Sequence, residues 1–198
     1  MTWHDHQSWE SSWHGNCLAT YWEETKQLEY SAKMDIPAIV KDGKYPFYDF
    51  GDVKSILDIG GGPVSMLLKT LKPVEMTVID PCTYPKWIEE RYKEAGITYI
   101  KQKGEDIDTT KRYDLVLLYN VLQHTDNPKK IIDNIRTVSK IIKVFEWINT
   151  SIVDGHPHSF KREQFDEWFG GTGQVYIMND KGCFGPAWAG TFKGNHYE

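Results

Sequence analysis

The sequence has few cysteines and no long apolar run. Its three cysteines (Cys17, Cys82 and Cys183) are far apart and form no CxxC pair, which favours a reduced, cytoplasmic setting. No apolar run approaches the ~20 residues that a membrane-spanning helix needs. The polar and aromatic N-terminal stretch does not have the pattern of a signal peptide. We therefore expect no membrane partner.

An excess of basic residues is also absent. The net charge is -5, and the lysines and arginines are spread among acidic residues. Proteins that grip a nucleic-acid backbone usually carry a basic face, so a nucleic-acid substrate is disfavoured. The 198 residues suffice for one domain with a substantial core.

Two parts of the chain differ in composition. Residues 1–52 are rich in Trp, Tyr, His and acidic residues, and apolar spacing predicts a helix over 17–34. Residues 41–52 contain Gly and Pro, which predicts a connecting loop. We expect a single domain, 1–198, in which residues 1–52 form a helical cover over the core at 53–198.

The core alternates apolar runs with helical periodicities. The apolar runs predict strands at 55–59, 76–79, 97–100, 113–119 and 141–147. Helical spacing predicts helices at 64–71, 85–95 and 131–138, and one that Ser159 caps and Gly170 ends. The stretches 174–178 and 187–192 predict an antiparallel hairpin. This order is typical of the α/β class: a doubly wound, mostly parallel sheet of seven strands with an antiparallel C-terminal hairpin strand.

Three glycines follow the first strand of the core directly, after an acid. Asp58 lies at the end of the strand, and Gly60, Gly61 and Gly62 come before the next predicted helix. Glycine lets the backbone turn sharply and approach a ligand closely. One glycine would suffice for a tight turn without a ligand, so three in a row favour a ligand site at this strand end.

Asp80, at the tip of the second core strand, lies ~20 residues beyond the glycines, where an acid can bind ribose hydroxyls. Together, the glycine loop and Asp80 predict an adenosine-containing cofactor. The frame Gly60-x-Gly62-x-x-Ser65 lacks the last glycine of the dinucleotide fingerprint. The carboxylate of Asp58 suits a cationic ligand better than a pyrophosphate.

These motifs resemble the class I S-adenosylmethionine-dependent methyltransferases, which have a Rossmann-like fold. The resemblance covers roughly residues 53–150 and implies that S-adenosylmethionine is the cofactor. It implies methionine contacts from Asp58 and the three glycines, ribose contact from Asp80 beside Pro81, and adenine contact from Glu105 or Asp106. It further places Asn120 and Val121 beside the cofactor. In residues 1–52, which resemble the N-terminal cover of such enzymes, Trp13 and Asn16 are candidates for closing over the methionine end.

Histidines near the predicted strand ends are candidates for catalysis. His124 follows the fourth core strand, and His156 follows the fifth, within Asp154-Gly155-His156-Pro157-His158. A histidine pKa near neutrality suits a general base, which helps when a hydroxyl is methylated. Packing is an equal alternative for His124, and no carboxylate cluster accompanies the histidines, so we expect no metal site. The acceptor we expect is a small or medium polar molecule, such as a sugar or another metabolite methylated on oxygen.

Three other functions stay open at this point. A NAD-dependent oxidoreductase would use the same strand ends for a dinucleotide. A non-catalytic module would bind S-adenosylmethionine without an acceptor, and a third possibility keeps the enzyme but uses a nucleic-acid acceptor.

Overall fold

The computed structural model of the chain describes residues 21–41, 45–180 and 183–195. It begins with helix α1 (Tyr21–Lys33), followed by an antiparallel hairpin of β1 (Ala38–Lys41) and β2 (Tyr45–Tyr48). The interpretation of residues 41–52 as a loop is therefore wrong for β2. The cause is backbone pairing with β1, together with burial of the Tyr48 ring, which is 0% exposed.

A seven-stranded sheet forms the centre of the molecule. Its strands are β3 (Ser55–Ile59), β4 (Glu75–Ile79), β5 (Ile97–Ile100), β6 (Tyr113–Tyr119), β7 (Ser139–Trp147), β8 (Gln174–Asp180) and β9 (Cys183–Lys193). Three helices connect them: α2 (Lys86–Glu94), α3 (Pro128–Val138) and α4 (Arg162–Phe169).

The strand order is β5-β4-β3-β6-β7-β9-β8. The first five strands in this order are parallel, and β9 runs antiparallel between β7 and β8. The predicted fold class, including the C-terminal hairpin, is confirmed. The chain crosses from the β5 edge back to β6 beside β3, and in such sheets ligands bind at the carboxyl ends of strands where the order reverses.

Both faces of the sheet are covered by apolar clusters. One cluster joins α1, the hairpin and α2 to the sheet, for example through Tyr30, Tyr48 and Tyr92. The other joins α3 and α4 to the opposite face through residues such as Ile135 and Phe165. Because neighbouring strands are buried on both sides, they are apolar almost throughout, as their sequences indicate.

The helix predicted over 64–71 is absent, and only a short 3-10 turn forms at Met66–Lys69. Side chains occupy the first backbone N–H groups: Ser65 N–H donates to Tyr92 Oη (3.0 Å), and Met66 N–H donates to Tyr119 Oη (3.2 Å). Further along, Leu71 N–H donates to the carbonyl of Tyr48 (2.9 Å). These contacts with other parts of the chain replace the i to i+4 bonds of a longer helix.

The start of α4 also differs from the prediction. The residue that precedes the helix is Lys161, whose N–H donates to Gln164 Oε1 (2.8 Å). Ser159 is not its cap, because its hydroxyl donates to the Thr150 carbonyl (2.5 Å). The helix ends as predicted at Gly170, which has a left-handed φ of 67°.

Candidate active site

A cavity of about 630 Å³ opens at the carboxyl ends of β3, β4, β6 and β7. Its volume lies within the ~300–1,000 Å³ that is usual for small-molecule sites. The glycine loop lies on one side, and α1 contributes Gln27 and Tyr30. His124 and His156 line the same cavity, so the two halves of the predicted site face one space.

The glycine loop after β3 takes a backbone path that side chains would obstruct. Gly60 and Gly62 have φ values of 67° and 63°, in the left-handed region that glycine adopts without strain. A Cβ on Gly60 would lie 2.6 Å from Cγ2 of Val121, and one on Gly61 would lie 2.7 Å from Oδ2 of Asp58. The loop therefore requires glycine at position 60 for both space and conformation, and at position 61 for space.

Asp58 lies directly beneath this loop and is fully buried. Its Oδ2 accepts hydrogen bonds from the Ser65 hydroxyl (2.5 Å) and from Tyr119 Oη (2.8 Å). Its Oδ1 has no hydrogen-bond partner among the described residues. Burial raises the pKa of Asp58 to about 7, although the two hydroxyl donors oppose this shift.

Asp80 follows β4 and connects three segments. Its Oδ2 accepts the Gly62 N–H (3.0 Å), and its Oδ1 accepts the Cys82 N–H (2.9 Å) and the Tyr84 hydroxyl (3.0 Å). Asp80 and Pro81 both line the cavity. The carboxylate thus holds the glycine loop against the β4 end, at the edge of the space where a ligand would bind.

Glu105 and Asp106 lie on one 3-10 turn but point in different directions. Glu105 is buried on the cavity wall, and its Oε1 accepts the N–H groups of Asp126 and Asn127 (3.0 Å each). The Asp106 carboxylate is 61% exposed, lies 3.5 Å from Lys130 and is not on the cavity wall. Of the two acids predicted for the adenine, the structure brings only Glu105 to the cavity.

The turn after β6 carries Asn120, Val121 and His124, all of which line the cavity. Asn120 has a φ of 56°, which is uncommon for a residue other than glycine and is found at functional sites. Its side-chain carbonyl accepts a hydrogen bond from the Gln123 amide (2.9 Å). Gln123 is buried and also lines the cavity, and its Oε1 has no partner among the described residues.

The two predicted catalytic histidines lie side by side. Their ring centroids are 4.5 Å apart, with an interplanar angle of 75°. Nδ1 of His124 lies 2.8 Å from the Gly155 carbonyl, which can only accept, so this nitrogen carries the proton. Nε2 is then the basic nitrogen of the ring. His158 instead contacts the Thr125 carbonyl through Nε2 (2.7 Å) and is not on the cavity wall.

Sequence reasoning missed Glu146, near the end of β7. Its side chain is 0% exposed, and its Oε1 accepts the N–H groups of Val121 (2.9 Å) and Leu122 (3.1 Å). Burial raises its pKa to about 7, against the opposing effects of these two N–H donors and of His124. The available signal was a glutamate within the mostly apolar stretch 141–147.

The far wall of the cavity was also missed. It comes from the segment after β7 and from the C-terminal hairpin: Trp147, Asn149, Thr150, Ser151, Phe184 and Pro186. Asn149, like Asn120, has a left-handed φ (54°). Two aromatic rings and several uncharged polar groups therefore line the same cavity as the histidine pair.

Two predicted cofactor residues, Trp13 and Asn16, lie outside the described residues. Within residues 21–41, 45–180 and 183–195, no group of three or more His, Cys, Asp or Glu side chains is arranged to hold a metal ion. None of the helices in these ranges is long and apolar enough to cross a membrane.

Comparison with known proteins agrees with the geometry. A family model described as "Methyltransferase domain" matches residues 35–176, which is more than half of the chain. A search of curated proteins found no match.

Several solved structures share the fold at low sequence identity. The 1,6-didemethyltoxoflavin-N1-methyltransferase of Burkholderia thailandensis, with its substrate and S-adenosylhomocysteine bound, is 13% identical with a TM-score of 0.64, over 96% of this chain and 87% of that one. The N-methyltransferase NodS of Bradyrhizobium japonicum WM9, also with S-adenosylhomocysteine, is 14% identical with a TM-score of 0.58, over 90% of each chain. The magnesium protoporphyrin IX methyltransferase of Synechocystis PCC 6803 is 11% identical with a TM-score of 0.53, over 70% and 73%.

Proposed function

This chain belongs to the methyltransferase domain family, and on that premise we propose that it transfers a methyl group from S-adenosylmethionine to a small polar acceptor. The observation that carries the proposal is that one cavity contains both the glycine loop and the His124–His156 pair. The volume of about 630 Å³ would be shared by cofactor and acceptor, which favours a small acceptor.

The glycine loop and Asp58 fit such a cofactor. The missing Cβ atoms of Gly60 and Gly61 leave backbone surface that a ligand can approach, and Asp80 braces this loop. Oδ1 of Asp58 is buried beneath the loop without a partner, and a cationic ligand nearby would stabilise the ionised carboxylate. We assign Asp80, Pro81, Glu105, Asn120 and Val121 to the remainder of the cofactor pocket, because all five line the cavity. S-adenosylhomocysteine in two solved relatives is consistent with this assignment.

When bound, S-adenosylmethionine supplies an electrophilic methyl group. The protein's contribution is to hold the acceptor in line with it and to remove a proton from the attacking group. The Gly155 carbonyl holds the proton of His124 on Nδ1, which leaves the lone pair on Nε2. The Gln123 amide lies 3.3 Å from Nε2, and an acceptor hydroxyl would replace this contact when it gives its proton to Nε2. His156 packs against this ring and lines the same wall.

The acceptor we propose is a neutral, polar molecule methylated on oxygen, such as a sugar or a related metabolite. Asn149, Thr150 and Ser151 supply uncharged hydrogen-bonding groups, while Trp147 and Phe184 supply apolar faces. Gln123 adds an unpaired acceptor oxygen on the same wall, and this oxygen requires a donor such as a hydroxyl.

Calorimetry and thermal unfolding with S-adenosylhomocysteine and NAD test the cofactor. We expect S-adenosylhomocysteine to bind and to raise Tm, because a ligand that binds only the folded state stabilises it. Binding of NAD with no effect of S-adenosylhomocysteine would replace the proposal with an oxidoreductase.

The acceptor is tested by following S-adenosylhomocysteine formation from S-adenosylmethionine with a panel of small hydroxyl compounds, amines and short nucleic acids. Turnover with a hydroxyl compound supports the proposal. Turnover only with nucleic acid contradicts the small-molecule acceptor, and cofactor binding without turnover on any compound favours a non-catalytic module.

A further inference from the structure

Glu146 occupies a position where an apolar side chain is expected. Alternation along β7 puts it on the same face as Ile142 and Val144, which are fully buried in the cluster beneath α3 and α4. Its partner on β9 is Trp188, which is also fully buried. A buried carboxylate costs folding free energy unless its hydrogen bonds compensate for the lost hydration.

The hydrogen bonds that Glu146 makes are directed at a single turn. Its Oε1 accepts two consecutive N–H groups, those of Val121 and Leu122, at the start of the 3-10 turn Leu122–His124. These N–H groups have no partner within so short a turn, because the first donors of a helix lie outside its own bonding pattern. The left-handed Asn120 comes directly before them and donates its own N–H to the Phe145 carbonyl (2.8 Å). The end of β7 thus holds a strained turn at the end of β6.

That turn contacts both halves of the cavity. At its start, the Val121 side chain occupies the space above Gly60 that a Cβ would need. At its end, His124 reaches the Gly155 carbonyl and packs on His156. Only two residues lie between Val121 and His124, so a shift of the turn would move both contacts together.

We infer that Glu146 is a positioning residue that couples the glycine loop to the histidine pair by holding the turn Asn120–His124. The carboxylate does not line the cavity, and it acts through the backbone N–H groups of Val121 and Leu122. The assignment of the cofactor to the Val121 end of this turn and of the acceptor to the His124 end rests on the proposed function. The mechanical coupling does not rest on it.

The test compares Glu146→Gln with Glu146→Asp in the full chain. Glutamine keeps a carbonyl oxygen at the same reach, whereas aspartate keeps the charge but withdraws the oxygen by one methylene. The readouts are the Kd for S-adenosylhomocysteine by calorimetry and the ¹⁵N signals of the His124 ring, which report its tautomer. Neither variant removes enough volume to open a large cavity, so both are expected to fold.

We expect Glu146→Gln to keep the Kd within about threefold and to keep the proton of His124 on Nδ1. We expect Glu146→Asp to raise the Kd about tenfold or more, since two charge-assisted bonds are lost, and to change the His124 signals. The inference is overturned if Glu146→Asp equals wild type in both readouts. It is also overturned if Glu146→Gln loses as much affinity for S-adenosylhomocysteine as Glu146→Asp does.

Asp166→Asn serves as a matched control. Asp166 also accepts two N–H groups through one oxygen, from Gly173 and Trp188 (2.9 Å each), but it does not line the cavity. It is expected to change neither readout. If wild type does not bind S-adenosylhomocysteine, the proposed function fails, while the His124 signals still decide the role of Glu146.

Discussion

The loop after β3 and the turn after β6 lie side by side at the edge of one cavity but keep their shapes by different means. In the loop, Gly60 and Gly62 adopt left-handed backbone angles at no steric cost. In the turn, Asn120 adopts a similar angle with a side chain present, and Glu146 on another strand holds the residues that follow. The first conformation comes from local residue type, and the second comes from a contact made by folding.

The largest expected effect comes from giving the loop a side chain. Gly60→Ala adds a left-handed strain of ~1–2 kcal/mol and a collision with Val121, so we expect S-adenosylhomocysteine affinity to fall about 100-fold. Gly51→Ala is the control, because Gly51 has a φ of 77° with nothing within 4 Å of a Cβ. It should lose stability only. Equal Kd values for the two variants would show that the contact between loop and turn is unimportant for binding.

The next effect concerns the histidines that the turn presents. His124→Ala and His156→Ala are each expected to lower kcat about 100-fold, which is typical of losing a general base, while the Kd for S-adenosylhomocysteine changes little. The acidic limb of the pH–rate profile should change in both variants. His158→Ala is the matched control, since this ring contacts the Thr125 carbonyl but does not itself line the cavity. A kcat near that of wild type in both cavity variants would show that neither histidine acts as a general base.

A smaller effect concerns Asp58 beneath the loop. Its pKa of about 7 lies above the ordinary 3.8, so the folded protein binds this proton more tightly than the unfolded chain. Its contribution to stability is fully present below about pH 4 and is lost as pH rises through about 7. Glu146, whose pKa is also raised to about 7, acts in the same direction.

We therefore expect Asp58→Asn, which cannot ionise, to lose less stability than wild type between pH 5 and pH 8. Urea unfolding at the two pH values measures this, with Asp106→Asn as an exposed control. A slope for Asp58→Asn as steep as that of wild type would contradict burial as the cause.

The smallest effect is expected at Asp106. Its exposed ion pair with Lys130 belongs to a class worth ~0–1 kcal/mol, so Asp106→Asn should change S-adenosylhomocysteine affinity by less than about twofold. Calorimetry measures this affinity, with Glu105→Gln as the comparison, because Glu105 lies on the cavity wall one residue earlier. A large loss at Asp106 would mean that the ligand contacts residues outside the cavity.

Much of the fold follows from local patterns. The apolar runs correspond to the parallel strands, and the three glycines correspond to the cavity loop, because both signals are carried by adjacent residues. The helix expected at 64–71 failed for the opposite reason. Tyr92 and Tyr119, distant in sequence, bind its first N–H groups, and the hairpin binds its end.

The site shows the same division. The position of Asp80 and His124 at the cavity could be predicted because each follows a recognisable strand. Glu105 and Asp106 could not be separated, because only the direction of a 3-10 turn decides which of them faces the cavity. Trp147, Asn149 and Phe184 were missed because the wall they form joins two segments that are distant in sequence, the end of β7 with the residues after it and the C-terminal hairpin.

The sequence by itself determined the succession of core strands along the chain, the glycine loop and the acid that follows β4, since short-range periodicity and residue type specify them. Only the tertiary structure decided how the turn after β6 is held and what faces the histidines. Those features depend on hydrogen bonds between residues as far apart as Val121 and Glu146, which become neighbours only when β6 and β7 pair.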